Sequence, residues 1–401
     1  MQQQQQAHLA LYLPEILSHI FSFLVPNHPL EDVKKKLYTN LFPCLLVNHI
    51  WNKNASRIIW KNAYFDDKQY EFNSFLKLAT TLQGDITFPT PSLSSSSAFA
   101  SLAIADASPK RSCSTSTISS YDIDTPECEP ETFDKMDSDH LFNKLDLAVP
   151  QSARLTNYRH SLRSLTIRKI KLNSLNEPLA KIGELAVHLV HLDIYICDHF
   201  NRQTLQPFLK HHNLIYLSLA GCHLISDDSV LQVAQNCPQL EHLDLRACGQ
   251  VSDISISAIA MHCPRLRHLN VGRIRDREKI TIRSIGLIAK HTNASVLGLA
   301  GCEVDDTCME TLAHYRGPGL ERVSVNSCVK ISNPTIYAFI RHCPNLSVFE
   351  MKECALIDDW EAVAELVQRK VLLTLCDVQN KACLEWARIN GRNLDLKAPL
   401  K

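Results

Sequence analysis

Glycine is scarce in this chain, 11 residues in 401, and no phosphate-cradling loop can be built from it. Neither G-x-x-x-x-G-K-[ST] nor G-x-G-x-x-G occurs, so nucleotide chemistry has no support. Net charge is absent too: 42 Lys and Arg balance 42 Asp and Glu. No global field then favours nucleic acid or a membrane surface. The one basic stretch, Arg273 to Arg283, is interrupted by Asp276 and Glu278 and reads as a solvated loop. No apolar run approaches the roughly 20 residues of a membrane span. The opening polyglutamine lacks the basic n-region of a signal peptide. No H-E-x-x-H occurs. His262-Cys263 and His342-Cys343 resemble metal ligands, but they recur with a repeat and are read as helix ends, so no metal or cofactor is expected. Cys222-His223 and Cys383 near Lys381 are the nearest approach to a nucleophile with a basic neighbour. Both cysteines sit at structural positions, so no catalysis is expected.

What the chain does have is a repeated phrase. Leu240, Leu243, Leu245 and Cys248 match Leu214, Leu217, Leu219 and Cys222, then Leu320, Val323, Val325 and Cys328, then Leu346, Phe349, Met351 and Cys354. The step from Leu214 to Leu240, and from Leu320 to Leu346, is 26 residues. A fixed period of this length marks a solenoid, and L-x-x-L-x-L is its leucine-rich form. Leu243 and Leu245 point to one side of a short strand, and His242, Asp244 and Arg246 to the other. Ser252 is a candidate N-cap with Asp253 beside it, and Cys263-Pro264 ends the helix that follows. One such unit cannot bury its own apolar side, but a stack can. The expected fold is therefore α/β: a right-handed leucine-rich-repeat solenoid with a parallel sheet on a concave face and helices outside. Strand phrases begin near Leu162, Leu189, Leu214, Leu240, Leu266, Ala294, Leu320 and Leu346, so the repeats occupy 160–357. In the unit from Leu266, Ile274 replaces the cysteine. Residues 358–401 read as a cap, with a helix at Trp360–Val367, a degraded strand at Val371–Leu375 and a last amphipathic helix.

Fifteen cysteines would suggest disulfides in a small secreted domain. Here one set follows the strand phrase and another ends the helices. Within a unit the two are too far apart to bridge. Stacked copies come within about 5 Å, so a ladder of bridges stays open, but buried thiols in a reducing compartment are the preferred reading.

Residues 9–65 form a second module. Apolar residues at Ile16, Leu17, Ile20, Phe21 and Leu24 have helical spacing behind Leu13-Pro14. A polar connection, Pro26 to Asn40, leads to Leu46, Val47, Trp51, Ile59 and Trp60. Residues 84–140 are rich in Ser, Thr and Pro and then acidic, the composition of a disordered linker. It carries Thr90-Pro91, Ser108-Pro109 and Thr125-Pro126. Ser108-Pro109-Lys110-Arg111 resembles a cyclin-dependent-kinase substrate. Thr90, Ser108 and Thr125 are the phosphorylation candidates.

The outward strand positions give the candidate partner surface: His242, Asp244, Arg246, His268, Asn270, Gly298, Arg322, Ser324 and Asn326. In the unit from Ala294 the outward residues are Val296, Gly298 and Ala300, a bare strip able to admit a projecting segment. Arg246 and Arg322 point away from the core. Their removal is expected to cost affinity and little stability.

Leu13, Pro14, Ile16, Leu17, Ile20, Leu24, Leu46, Val47, Trp51, Ile59 and Trp60 resemble the F-box pattern, with a connection longer than that family's. An F-box followed by repeats of the form L-x-x-L-x-L-x-x-C…[ISV]-[ST]-[DN]…C-P resembles the fungal antagonist of mitotic exit network protein family. The resemblance implies a non-catalytic cell-cycle regulator, in cytoplasm and nucleus, that acts on mitotic exit. It implies that Leu13, Pro14, Ile16, Leu17 and Ile20 bind the Skp-type linker of a cullin ubiquitin ligase. It further implies that the repeats engage a protein substrate, the small GTPase of the exit network among the possibilities. The alternative is a scaffold that sequesters its partner without degrading it. Neither reading involves nucleic acid or membrane.

Overall fold

The computed structural model describes residues 9–25, 40–84 and 151–399. Thr90, Ser108 and Thr125, the rest of the segment that carries them, and residues 26–39 of the polar connection lie outside the described residues.

Ten strands form one parallel sheet whose spatial order is the order of the chain. They are β1 (Asn62–Phe65), β2 (Ser164–Arg168), β3 (His191–Tyr195), β4 (Tyr216–Ser218), β5 (His242–Asp244), β6 (His268–Asn270), β7 (Val296–Gly298), β8 (Arg322–Ser324), β9 (Val348–Glu350) and β10 (Leu372–Thr374). All eight phrases read from the sequence become strands, β2 to β9, and the degraded strand of the cap is β10. The helices are α1 (Pro14–Ser22), α2 (His49–Ile59), α3 (Gln69–Gln83), α4 (Gln151–Ser161), α5 (Asn176–Leu185), α6 (Arg202–Leu209), α7 (Asp227–Asn236), α8 (Asp253–His262), α9 (Ile282–His291), α10 (Asp306–Arg316), α11 (Asn333–His342), α12 (Trp360–Gln368) and α13 (Asp377–Ile389).

Register follows from the period. Leu217, Leu243, Leu269, Leu297, Val323 and Phe349 pair in succession across β4 to β9, and all are buried in one continuous core. The [ST]-[DN] dipeptide explains how neighbouring helices are spaced. Ser252 accepts from the backbone N–H of Ile254, capping its own helix. It also donates its N–H and hydroxyl to Asp227 of the preceding unit, at 2.8 and 2.6 Å. Thr281 does the same to Asp253, and Ser332 to Asp306. Burial opposes ionisation of Asp227, but hydrogen bonds from Ser252 and Ser255 prevail and hold its carboxyl below the usual range.

The cysteines are free thiols in every described case, and all but Cys376 are buried. Phrase cysteines point their thiols at the carbonyl just past the strand one repeat earlier: Cys248 to Leu219 at 3.1 Å, Cys328 to Leu299 and Cys354 to Val325 at 3.2 Å. A small hydrophobe with a weak donor suits that position. Burial pushes the thiols of Cys197, Cys248 and Cys302 up to about 12. They are therefore protonated near neutrality.

One repeated feature is invisible in the leucine frame. The residue before each phrase cysteine has positive φ: Ile196, Gly221, Ala247, Gly301, Ser327 and Glu353. The chain must turn sharply there after the strand. At Gly301 a Cβ would sit 2.0 Å from the carbonyl oxygen of Arg273, so only glycine fits. The irregular unit corrects the reading of Ile274. That side chain is 86% exposed and fills no core position. Arg273 is the buried residue, donating to the carbonyls of Val251 and Asp276, each at 3.2 Å.

The amino-terminal module has its own small core of Leu17, Phe21, Leu41, Cys44 and Ala55. Trp51 packs edge-on to Phe21 and donates to the carbonyl of Leu11. The module does not stay helical to residue 65. Its last four residues are β1, paired with β2, and Phe65, Phe75 and Leu82 join the repeat core.

Candidate functional site

The outer face of the sheet carries two columns of side chains. In the first, β-pairing sets His191, Tyr216, His242 and His268 side by side. Strand spacing near 4.8 Å brings such rings within stacking reach. His191 stacks on Tyr216 at 3.9 Å, Tyr216 on His242 at 4.0 Å, and His242 on His268 at 3.9 Å. Burial against one another keeps these rings neutral. His242 is pushed down to about 4, by burial first and by His268 next. His191 and His268 also lie below the usual histidine range, burial again leading. Tyr216 is pushed up to about 12 by burial and then by Asp193 and Asp244.

The second column is charged and internally paired. Asp193 and Asp244 are both buried. Arg168 donates to Asp193 at 2.9 Å. Arg246 grips Asp244 with Nε and Nη2, at 2.9 and 2.7 Å to Oδ2, while its own backbone N–H donates to Oδ1. Arg322 and Asn326 both donate to Glu350. About half of the Arg246 side chain remains exposed. Its guanidinium is thus aimed and still has donors to offer.

Of the residues expected to meet a partner, His242, Asp244, Arg246 and His268 come together, as do Arg322, Ser324 and Asn326. Gly298 between them corrects the bare strip. The Asn270 side chain lies across it, so that a Cβ on Gly298 would fall 2.4 Å from its amide atoms. Asn270 Oδ1 accepts from the N–H of Gly272 at 3.1 Å, which fixes the side chain there. Gly298 is buried, and no open slot exists at that strand. His191, Tyr216 and Glu350 belong to the same two columns; the sequence marks them as outward but outside the central patch, and Arg168, also in the columns, is not singled out from it. They hold the same phrase positions as His242 and Asp244, or neighbour them, which was the available signal. No group of three or more His, Cys, Asp or Glu spaced to hold a metal ion occurs among the described residues. No helix among them is long and apolar enough to cross a membrane.

A second surface lies on α1. Leu17 and Phe21 are fully buried, whereas Leu13 is 42%, Ile16 37%, Ile20 39% and Phe23 75% exposed. Spacings of three and four put these four on one stripe. Leu13 is outside the first turn and Pro14 begins the helix. Phe42 and Val47 are also exposed, at 52% and 53%. Leu17 therefore leaves the set of expected linker-binding residues, because its side chain holds the module's own core. Leu13, Pro14, Ile16 and Ile20 remain at the surface.

Comparison with known proteins gives consistent relatives. No protein-family model matches the chain. It is 34% identical over 255 residues to the antagonist of mitotic exit network protein 1 of Candida glabrata, covering 60% of this chain and 48% of that protein. It is 42% identical over 166 residues to the protein of that name from Yarrowia lipolytica, covering 40% of this chain and 23% of the relative. With the Saccharomyces cerevisiae protein it shares 34% over 194 residues, 47% of this chain and 35% of the relative. The chain spans about half the length, or less, of these curated relatives. Among solved structures, the crystal structure of the yeast Rad7 and Elc1 complex aligns over 58% of each chain with 18% identity and a TM-score of 0.45, a loose likeness. The chain, a parallel-sheet solenoid of leucine-patterned repeats, is similar to the fungal antagonist of mitotic exit network proteins.

Proposed function

We propose that this chain is a non-catalytic substrate adaptor: α1 docks a Skp-type linker of a cullin ubiquitin ligase, and the outer sheet face holds the protein to be modified. The observation that carries this reading is the two-faced burial of α1. Its Leu17 and Phe21 face is consumed by the module's core, and its Leu13, Ile16, Ile20 and Phe23 face is left uncovered. A contiguous exposed apolar stripe marks an interaction site. The names of its relatives support a role against mitotic exit, with the small GTPase of that network as the candidate substrate. Such an adaptor works in cytoplasm and nucleus.

On the sheet face, a partner meets four stacked rings bordered by arginines already held by carboxylates. Pre-aimed groups lose little freedom on binding, and Arg and Tyr are the residue types that dominate binding hot spots. Leu13→Ala with Pro14→Ala should abolish co-purification of the linker and cullin while the repeats stay folded. Wild-type capture by that variant would sink the adaptor reading. It would leave the sequestering scaffold, for which partner half-life is unchanged when the amino-terminal module is deleted.

A further inference from the structure

A cavity lies away from both surfaces. It has a volume of about 740 Å³ and opens between α2, α4 and the chain entering β2 and β3. Lys53, Arg57, Lys61, Arg163, His160 and His188 line it, and no carboxylate is among its described lining residues. Lys53 and Arg57 are one turn apart on α2, a like-charged pair that weakens a helix. Arg57 Nε is steadied by Asn157 Oδ1 at 3.3 Å. Arg163 Nη1 donates to the His160 carbonyl at 2.6 Å, which fixes its guanidinium at the wall. The His160 and His188 rings meet edge-on at 5.0 Å. His188 is held below the ordinary histidine range, by burial and then by Arg163, His160 and His211. Lys53, Arg57, Lys61 and Arg163 thus share one concavity with no carboxylate among the described residues of its wall.

We propose that this cavity is a phosphate-recognition site that takes a phosphoserine or phosphothreonine of a partner protein. A phosphate monoester brings close to two negative charges and three strong acceptor oxygens, which matches a cluster of Arg and Lys donors. Single-stranded RNA fits less well. The described lining offers no Trp, Tyr or Phe face for a base to stack on, and the cations converge on one hollow instead of tracking a backbone. The site is independent of linker docking, since its cationic wall does not include the exposed stripe of α1.

The test is fluorescence anisotropy on the full chain with no linker present, so its outcome is separate from that of the adaptor reading. The probe is a short labelled peptide with a central phosphoserine-proline, compared with the same peptide unphosphorylated. Binding at least about tenfold tighter with the phosphate is expected. Lys53→Gln with Lys61→Gln should remove about tenfold or more of that affinity without moving the melting temperature. Arg265→Gln, a basic residue in another unit, should not change it. Equal affinity for the two peptides overturns the proposal, as does unaltered binding by the double variant. An oligouridine that binds tighter than the phosphopeptide overturns it in favour of RNA. Inorganic phosphate binding as tightly as the peptide identifies an adventitious anion site only.

Discussion

The amino-terminal module and the repeat body solve the same problem in opposite ways. The repeats bury their strand leucines in one continuous core, leave scattered apolar residues such as Ile254, Met261 and Val329 outside, and pair the polar groups on the sheet face with one another. The module covers only half of α1 and leaves Leu13, Ile16, Ile20 and Phe23 outside. A stack of units can bury its apolar side by adding neighbours, but a short helical module with a five-residue buried core cannot. The contrast separates two modes of recognition. On the proposed function, one region would bind by removing apolar surface from water, the other by presenting groups whose geometry is set in advance.

Breaking the contrast within one helix gives the largest effect. Leu17→Ala should cost about 2–4 kcal/mol, through a cavity in the module's core. Ile16→Ala, its neighbour on the exposed stripe, should stay within about 0.5 kcal/mol and weaken linker capture. Urea unfolding of the two variants measures the difference, and equal losses would mean that α1 has no free face.

The repeat body should respond differently. Arg246→Ala leaves the buried Asp244 with only the backbone N–H at position 246, so it should lose about 1–3 kcal/mol and not the negligible amount expected of an outward arginine. Thermal unfolding of Arg246→Ala against Arg265→Ala, an exposed control, checks this. Gly298→Ala should cost about 1 kcal/mol, because its Cβ must push Asn270 off the strand. An unchanged melting point would restore the open slot.

Acid sharpens the comparison most gently. The stacked histidines have lowered values in the fold, so the unfolded chain binds more protons as pH falls. Their contribution is complete above about 6.5, the unfolded value, and is lost as pH drops toward about 4, where His242 titrates in the fold. Asp244 and Arg246 flank that ring in opposing senses. His242→Phe keeps a ring in the stack and removes one such group. Its melting temperature should therefore fall less than wild type between pH 7 and pH 5.

The sequence carried the solenoid well because a strict period turns one strand assignment into eight. It missed β1, since Asn62-Ala63-Tyr64-Phe65 contains no leucine frame and follows a helical pattern. It missed the positive-φ turn because glycine fills it only at Gly221 and Gly301, while Ile196, Ala247, Ser327 and Glu353 are forced there by the stack. The ring ladder was half legible: its residues were read as outward, but stacking needs the cross-strand register. The bare strip failed because a side chain from the next strand, Asn270, leans over Gly298, and no single-unit reading contains that neighbour. For Leu17, helical spacing places a residue on an apolar face but does not say which apolar face remains uncovered.

The measurement that tests the two-mode account most directly is hydrogen exchange of the full chain with and without purified Skp-type linker. The account predicts slowed exchange confined to residues 9–25 and 40–60, with β4 to β9 unchanged. Protection along the repeat strands with none on α1 would contradict it.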